Sequence, residues 1–158
     1  MSALTALQPG AQDVLREHPM LDQAYQFWKA RSGERAMPHE TDLDAVALPL
    51  ELMPWSILTE VLETERDFRY ALLGSAIIQM ARRDFTGCRF SELDHIRPGS
   101  QLWTQRATVA NLGQPMLVSP PYTGPLGDVR RVYDLHLPLS ADNGRVGMIW
   151  TVVAFERI

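Results

Sequence analysis

The chain of 158 residues carries a formal net charge of −4, and 46% of its residues are hydrophobic while 22% are charged. A chain of this size forms one domain with a substantial core. Its acidic balance argues against a general nucleic-acid binder, which would show a basic stripe.

The single cysteine, Cys88, excludes a disulfide framework or a cysteine zinc site within the chain. No apolar run approaches the roughly 18 residues that span a bilayer, and no signal-peptide pattern opens the chain. We therefore expect a cytoplasmic protein.

The first third of the sequence predicts a tail, one helix and a connector. Residues 1–20 are mixed in composition, and we expect them to form a flexible tail. The next segment, residues 21–32, predicts a helix because its apolar residues recur at helical spacing on one face. These residues are Leu21, Ala24, Tyr25 and Trp28. Residues 21–55 thus comprise a helix and a connector whose prolines prevent a second long helix.

From residue 56 onwards the pattern changes to short strands and helices. Alternating apolar residues predict strands at 56–62 and 68–73. Helices are predicted at 75–83, 90–95 and 100–111, and three more strands at 115–119, 130–139 and 145–155. The turn Asp142-Asn143-Gly144 joins the last two strands as a hairpin. The segment 56–158 is therefore an α+β domain.

Two motifs in this segment resemble one bacterial family of PAS sensor domains. Residues 67–74 match the family's "dFRYrL-G" run, and residues 83–87 match its "rDlTG" run. The resemblance extends over roughly residues 21 to 155. It implies a five-stranded antiparallel sheet in the order 2-1-5-4-3, with helices over one face, a cavity beneath them and an N-terminal helical extension. PAS domains share a shape and not a ligand, so the fold alone names no function.

The resemblance implies a regulatory protein of signal transduction and not an enzyme. No kinase, cyclase or DNA-binding segment fits beside the sensor domain in a chain of this length. The protein would then act as a sensor or adaptor that binds a small ligand or a protein partner. We expect no membrane span, no nucleic-acid partner and no metal.

Apolar side chains on the predicted strands and helices are the candidates for lining the cavity. In the fourth strand, Tyr133 and Leu135 lie on one face, while Asp134 and His136 lie on the other. We expect the first of these faces to line the cavity. The full set of cavity candidates is Tyr70, Leu72, Ile77, Met80, Trp103, Tyr133, Leu135 and Trp150. The alternative is that these residues only fill the core.

Two residues could suggest a cofactor, but neither lies in a complete motif. His95 lies near the place where haem-binding PAS domains have their axial histidine. Cys88 shares only Cys-Arg-Phe with the flavin-binding sequence of light-sensing relatives. We therefore expect no cofactor and a colourless protein. The carboxylates Asp84, Glu92 and Asp94 are interpreted as capping and turn residues.

Two other functions remain open. One is a small α+β pocket enzyme of the ketosteroid-isomerase-like class, which needs an inward aspartate base and a tyrosine or aspartate donor. Asp134 and Tyr133 are the nearest pair, but neighbours on a strand face opposite sides. The other is a structural subunit with a filled core. A structure would discriminate between these functions. A carboxylate that points into the cavity would favour the enzyme, an apolar empty cavity would favour the sensor, and the absence of a cavity would favour the adaptor.

The sequence also predicts a homodimer. The apolar face formed by Leu21, Tyr25 and Trp28 must be buried against something, and a second copy of the chain would bury it. The alternative is that this helix covers its own sheet.

Overall fold

A computed structural model describes residues 10–43, 46–63, 66–122 and 124–158. Four α-helices and five β-strands lie in this part of the chain, together with short 3-10 turns at Glu40–Leu43, Met53–Trp55 and Phe90–Glu92. The helices are α1 (Ala11–Glu17), α2 (Pro19–Ser32), α3 (Ser75–Ala81) and α4 (Gln101–Leu112). The strands are β1 (Ser56–Leu62), β2 (Asp67–Leu73), β3 (Met116–Val118), β4 (Val129–Ser140) and β5 (Val146–Arg157). None of the described helices is long and apolar enough to cross a membrane.

The strands form one antiparallel sheet in the order β2-β1-β5-β4-β3. The predicted α+β class and strand order are confirmed. β5 is central, since it pairs with β1 on one side and with β4 on the other. The hairpin of β4 and β5 forms the longest ladder, because both strands have twelve residues. This long hairpin is the platform on which both helical layers pack.

Helices cover both faces of the sheet. On the face that we call the outer face, α1 and α2 pack over Leu58, Leu135, Leu137, Trp150 and Val152. On the opposite, inner face, α3, the turn at Phe90–Glu92 and α4 pack over residues that include Ile57, Phe68, Tyr70, Val132 and Val153. The expectation of helices over one face was therefore incomplete, because the N-terminal helices form a third layer.

Part of the segment expected to be a flexible tail is an ordered helix. Ala11 and Leu15, four residues apart in α1, are both buried against the outer-face core. The helix α2 begins at Pro19, where proline is tolerated in the first turn. His18, between the two helices, lies 3.1 Å from Glu156 Oε1 through its Nε2. α1 has only seven residues, and its apolar residues Ala11, Val14 and Leu15 cover little more than one helical turn, which is too short to show a period in the sequence.

The apolar face of α2 is buried within its own chain. Leu21, Tyr25 and Trp28 are at most 2% exposed and belong to the outer-face core. The indole Nε1–H of Trp28 donates to the carbonyl oxygen of Pro138 at 2.8 Å. These three side chains are therefore not available to a second copy of the chain, and the alternative interpretation of this helix is correct. A homodimer would need other surfaces.

Pro138 is accommodated in β4 because β3 does not extend along β4 as far as Pro138. β3 pairs with β4 only over Asp134–His136, so the edge of β4 beyond that point has no strand partner. There the Pro138 carbonyl accepts from Trp28, and the Ser140 N–H donates to the Pro38 carbonyl at 2.8 Å. A proline lacks an N–H and is tolerated where no ladder bond is required. The connector thereby completes the sheet edge next to α2.

A β-bulge in β2 decides which residues reach the inner face. Leu58 pairs with Leu72, whereas the next residue of β1, Thr59, pairs with Tyr70. Ala71 is thus an extra residue, and the alternation of side chains shifts by one position across it. Tyr70 lies in the inner-face core, while Leu72 packs against the outer-face core.

We predict that Gly74→Ala destabilises the fold strongly. A Cβ at this position would collide with the carbonyl oxygens of Met53 and Pro54, which are backbone atoms that cannot rotate away. Overpacking of this kind costs roughly 1–3 kcal/mol or more. The matched control is Gly127→Ala, where an added Cβ meets no atom within 4 Å. Urea unfolding should show a large loss for the first variant and a change of at most about 1 kcal/mol for the second. Equal effects would contradict the close approach at Gly74.

Candidate functional site

A pocket of about 240 Å³ lies between the inner face of the sheet, α3, α4 and the loop before β4. Its wall is mainly apolar and includes Ile57, Ile77, Met80, Phe85, Leu102, Val132, Val153 and Phe155. Five polar side chains also line it: Tyr70, His95, Arg106, Tyr122 and Asp134. Ligand sites commonly combine an apolar wall with a few polar groups that orient the ligand.

The structure brings only some of the predicted cavity residues together. Tyr70, Ile77 and Met80 line the pocket. Trp103 packs beside it, with its ring centroid 5.6 Å from that of Phe68, but is not a lining residue. The remaining candidates, Leu72, Tyr133, Leu135 and Trp150, belong to or pack against the outer-face core.

The expected face of β4 was the wrong one. The apolar positions, Leu135 and Leu137, face the N-terminal helices, whereas Val132 and Asp134 line the pocket. A strand covered on both faces buries both sets of side chains, so apolar character does not identify the pocket side. Trp150 illustrates the outer environment, since its indole Nε1–H donates to Ser56 Oγ at 3.0 Å.

The loop before β4 closes one side of the pocket. Pro120, Pro121, Tyr122 and Gly124 all line the pocket. The Tyr122 hydroxyl donates to the Met80 carbonyl at 2.6 Å and accepts from the Leu126 N–H at 3.1 Å. This hydroxyl therefore fastens the loop to the C-terminal end of α3. The sequence indicated only a long hairpin loop here and gave no sign of this contact.

Arg106 is the least expected member of the site. It is 1% exposed, and its guanidinium carbon lies 5.3 Å from the Phe90 ring centroid and 5.9 Å from that of Tyr70. Its Nη1 donates to the Leu102 carbonyl at 3.3 Å, while its buried Nε has no hydrogen-bond partner. Among the ion pairs of the described residues, none includes Arg106.

Asp134 is a buried carboxylic acid on the inner face of β4. It is 4% exposed, and burial raises its pKa from 3.8 to about 6, although the positive charge of Arg106 acts in the opposite direction. A carboxyl group with such a pKa exchanges a proton near neutral pH. Burial also raises the pKa of Tyr70, so that its hydroxyl stays protonated.

His136 lies behind Asp134 on the same face of β4. Its Nδ1 is 2.7 Å from Thr151 Oγ1, and its Nε2 has no hydrogen-bond partner and is 3.9 Å from Asp134 Oδ2. Burial, together with the nearby charge of Arg106, holds the pKa of His136 well below its ordinary value. The imidazole is therefore neutral and does not supply a counter-ion for Asp134.

The two residues considered for cofactors occupy different places. His95 lines the mouth of the pocket with its ring 5.2 Å from Phe85, and burial with the charge of Arg83 lowers its pKa. Cys88 is half-buried against the inner-face core and does not line the pocket. Over the described ranges, no cluster of three or more histidine, cysteine, aspartate or glutamate side chains is arranged to hold a metal ion.

The carboxylates of Asp67, Asp84 and Glu92 hold turns and connections of the backbone in this fold. Asp67 accepts hydrogen bonds from Ser91 N–H and from Ser91 Oγ–H at 2.5 Å, which joins β2 to the turn at Phe90–Glu92. Asp84 accepts from the backbone and hydroxyl of Thr86, and these bonds lower its pKa. Glu92 accepts from the Arg89 N–H at 2.9 Å. These contacts are the capping and turn roles expected for Asp84 and Glu92.

No protein-family model matches this chain, and no curated protein matches it either.

We predict that Asp134→Asn stabilises the protein in a pH-dependent way. Because the pKa of Asp134 is higher in the folded chain than in the unfolded chain, ionisation opposes folding as pH rises from about 4 to about 6. Asparagine keeps the shape and removes this ionisation. The stability of the variant relative to the wild type should therefore be larger at pH 7.5 than at pH 4, by on the order of 2–3 kcal/mol. Urea unfolding of both proteins measures the difference, and an equal gap at both pH values would contradict the raised pKa.

Proposed function

We propose that this protein is a PAS-type sensor or adaptor that binds a small ligand and regulates a protein partner. The observation that supports this proposal is the pocket between the sheet, α3, α4 and the loop before β4. The sheet order agrees with a PAS arrangement, and the residues of the PAS-like runs make the contacts that hold β2 and α3 beside the pocket. We keep the cytoplasmic location and the homodimer as predictions.

The pocket is formed by elements that could report its occupancy. Its walls come from α3, α4 and a loop that is joined to α3 through Tyr122. A ligand that prefers one packing of these elements would shift the population of the chain toward that packing. The solvent-exposed surface of α3, α4 or the loop would then change, and with it the affinity for a partner protein. The outer face of the sheet is already covered by α1 and α2.

We predict that Ala81→Phe abolishes ligand binding in the pocket. Ala81 lines the pocket at the end of α3, so that a phenyl ring there would occupy part of its volume. The control is Gln79→Phe, which adds the same ring to an exposed position of the same helix. Ligand-observed NMR against a library of small organic fragments should give hits that bind the wild type and Gln79→Phe but not Ala81→Phe. The proposal fails if no fragment binds the wild type, or if the hits bind all three proteins equally.

A second candidate function is supported by the inward carboxylate. Asp134 lines the pocket with a pKa near 6, and Tyr70 lines the same pocket as a protonated hydrogen-bond donor. This pair provides what an enzyme of the ketosteroid-isomerase-like class requires. It takes the place of the pair considered from the sequence, Asp134 and Tyr133, whose side chains face opposite sides of the sheet. The Asp134 carboxylate would remove a proton from a carbon next to a carbonyl group. The C–H electron pair would form the enolate, whose oxygen would accept a hydrogen bond from Tyr70.

We predict that, if the protein is such an enzyme, it catalyses hydrogen–deuterium exchange in pocket-binding ketones. Proton NMR in deuterated buffer should show loss of the signal of the hydrogens beside the carbonyl. The loss should be faster with the wild type than with Asp134→Asn by roughly 100-fold or more, because general base catalysis contributes about that much. A sensor would bind the same ketones without exchange. Equal exchange with both proteins would exclude Asp134 as the base.

A further inference from the structure

Resting on the proposed ligand-binding function, we propose that the pocket selects a small organic acid with an apolar body and a hydroxyl group near its carboxylate. The carboxylate binds Arg106, the hydroxyl donates to Asp134, and the apolar body contacts the wall formed by Ile77, Met80, Val153 and Phe155.

The first reason is the state of Arg106. A guanidinium removed from water is costly unless hydrogen-bonded anions compensate its charge. Here its protein contacts are one helix carbonyl and two aromatic rings, and its Nε is buried without a partner. A planar guanidinium binds a carboxylate through two parallel hydrogen bonds. An organic acid in the pocket would therefore supply the missing anion.

The second reason is that Arg106 and Asp134 do not pair with each other. Both line the pocket and both are buried, yet no ion pair within 4.0 Å joins them in the part of the chain described. They are nevertheless close enough for the charge of Arg106 to affect the ionisation of Asp134. A ligand that offers an acceptor to Arg106 and a donor to Asp134 would satisfy the hydrogen bonding of both side chains.

The hydroxyl is needed because of the groups that surround Asp134. The charged or titratable groups facing it are Arg106 from α4, Tyr70 from β2 and His136 from its own strand, with His95 at the pocket mouth. His136 is neutral and lies at 3.9 Å, which is too far for a hydrogen bond. Above the pKa of Asp134, its carboxylate would repel a simple acid bound at Arg106. A hydroxyl beside the ligand carboxylate adds a hydrogen bond to Asp134 that offsets part of this repulsion.

The pocket size indicates how large the enclosed part of the ligand is. A volume of 240 Å³ corresponds to about eight water molecules at liquid density. This space suits a single ring or a short branched chain with its polar head.

The test compares three probes that share a phenyl ring: phenyllactate, hydrocinnamate and hydrocinnamyl alcohol. The first has both the carboxylate and the hydroxyl, the second lacks the hydroxyl, and the third lacks the carboxylate. Dissociation constants are measured by titration calorimetry at pH 7.5 for the full chain. We expect the wild type to bind phenyllactate most tightly.

Arg106→Met keeps the length and apolar stacking of the side chain and removes its charge. The variant should bind both acids at least about tenfold more weakly than the wild type, because it loses the hydrogen bonds between the charged guanidinium and the ligand carboxylate. The affinity for the alcohol should stay within about twofold. The matched control is Arg31→Met, which removes the same charge from an exposed side chain over the Phe27 ring, on the side of the sheet opposite the pocket. It should leave all three affinities within about twofold, since exposed charges are screened.

Two further variants complete the design. Arg106→Lys keeps the charge but loses the planar fork, so that its affinity for the acids should fall between those of the wild type and Arg106→Met. Asp134→Asn removes the repulsion, so that hydrocinnamate should bind more tightly and the preference for phenyllactate should shrink. Thermal melting of each variant checks that it is folded.

The outcomes separate this inference from the function on which it rests. If Arg106→Met leaves the affinities for the acids unchanged while the alcohol still binds, the acid assignment is wrong and the pocket remains a ligand site. If no probe binds the wild type, or if Ala81→Phe binds the acids as well as the wild type does, the assignment is also wrong. The fragment screen then decides by itself whether the pocket binds any ligand.

Discussion

The covering of β4 and β5 on both faces is the constraint on which the rest of this structure depends. The outer side of the hairpin is closed by α2, through Trp28 and the Pro138 carbonyl at the free edge of β4. The inner side is covered separately by α3 and α4, and it carries polar groups, since Asp134, His136 and Thr151 are all buried there. The N-terminal helices are therefore a part of the core, and they seal the face of the hairpin opposite the pocket.

Alternation and turn chemistry predicted where the strands lie, and the resemblance to PAS domains implied their order, but neither predicted the side of the sheet that holds the pocket. The alternating run at Phe68 and Tyr70 and the turn at Asp142-Asn143-Gly144 depend on local chain geometry, which the sequence displays directly. The choice of face depends on long-range packing. In β4, the apolar face with Leu135 was expected to line the cavity, whereas Asp134 on the other face lines it, and both residues are buried. The sequence could not show that two separate helical layers pack against opposite faces of the same strand.

The sequence did not place two buried polar residues, Arg106 and Asp134, in the pocket. An arginine in a helix and an aspartate in a strand are most often exposed, so that Arg106 was not considered and Asp134 was considered only as a partner of Tyr133. Leu72 was assigned to the cavity for a different reason, because the bulge at Ala71 changes the parity of β2. Bulges depend on the pairing of two strands and cannot be counted from one. The polar centre of the site and its exact membership thus required coordinates, whereas Tyr70, Ile77 and Met80 did not.

Buried polar groups without a partner lie on both faces of the sheet. The outer-face tryptophans both donate hydrogen bonds, and Ser56 links one of them to the Leu52 carbonyl, but the Tyr25 hydroxyl in the outer-face core has no partner. On the inner side, the buried Nε of Arg106, the Nε2 of His136 and the Oγ1 of Thr59 have no partner either. A buried unsatisfied polar group costs roughly 1–3 kcal/mol, and apolar residues of similar volume would often stabilise the fold better. What sets the inner face apart is that two of these groups, on Arg106 and His136, lie at or beside the pocket.

The alternation along β4 also links the pocket to the N-terminal layer. Asp134 lines the pocket, and the next residue, Leu135, packs against the core that contains α2. The contact of Pro138 with Trp28 lies only four residues further along the same strand, so that a change of packing at Asp134 has a short path to the N-terminal layer. The opposite wall is connected more weakly, since the loop before β4 is fastened to α3 by the hydroxyl of Tyr122. A ligand can exploit either connection only through a difference in its affinity for the two packings. The polar groups that make one packing costly when the pocket is empty are the natural source of that difference.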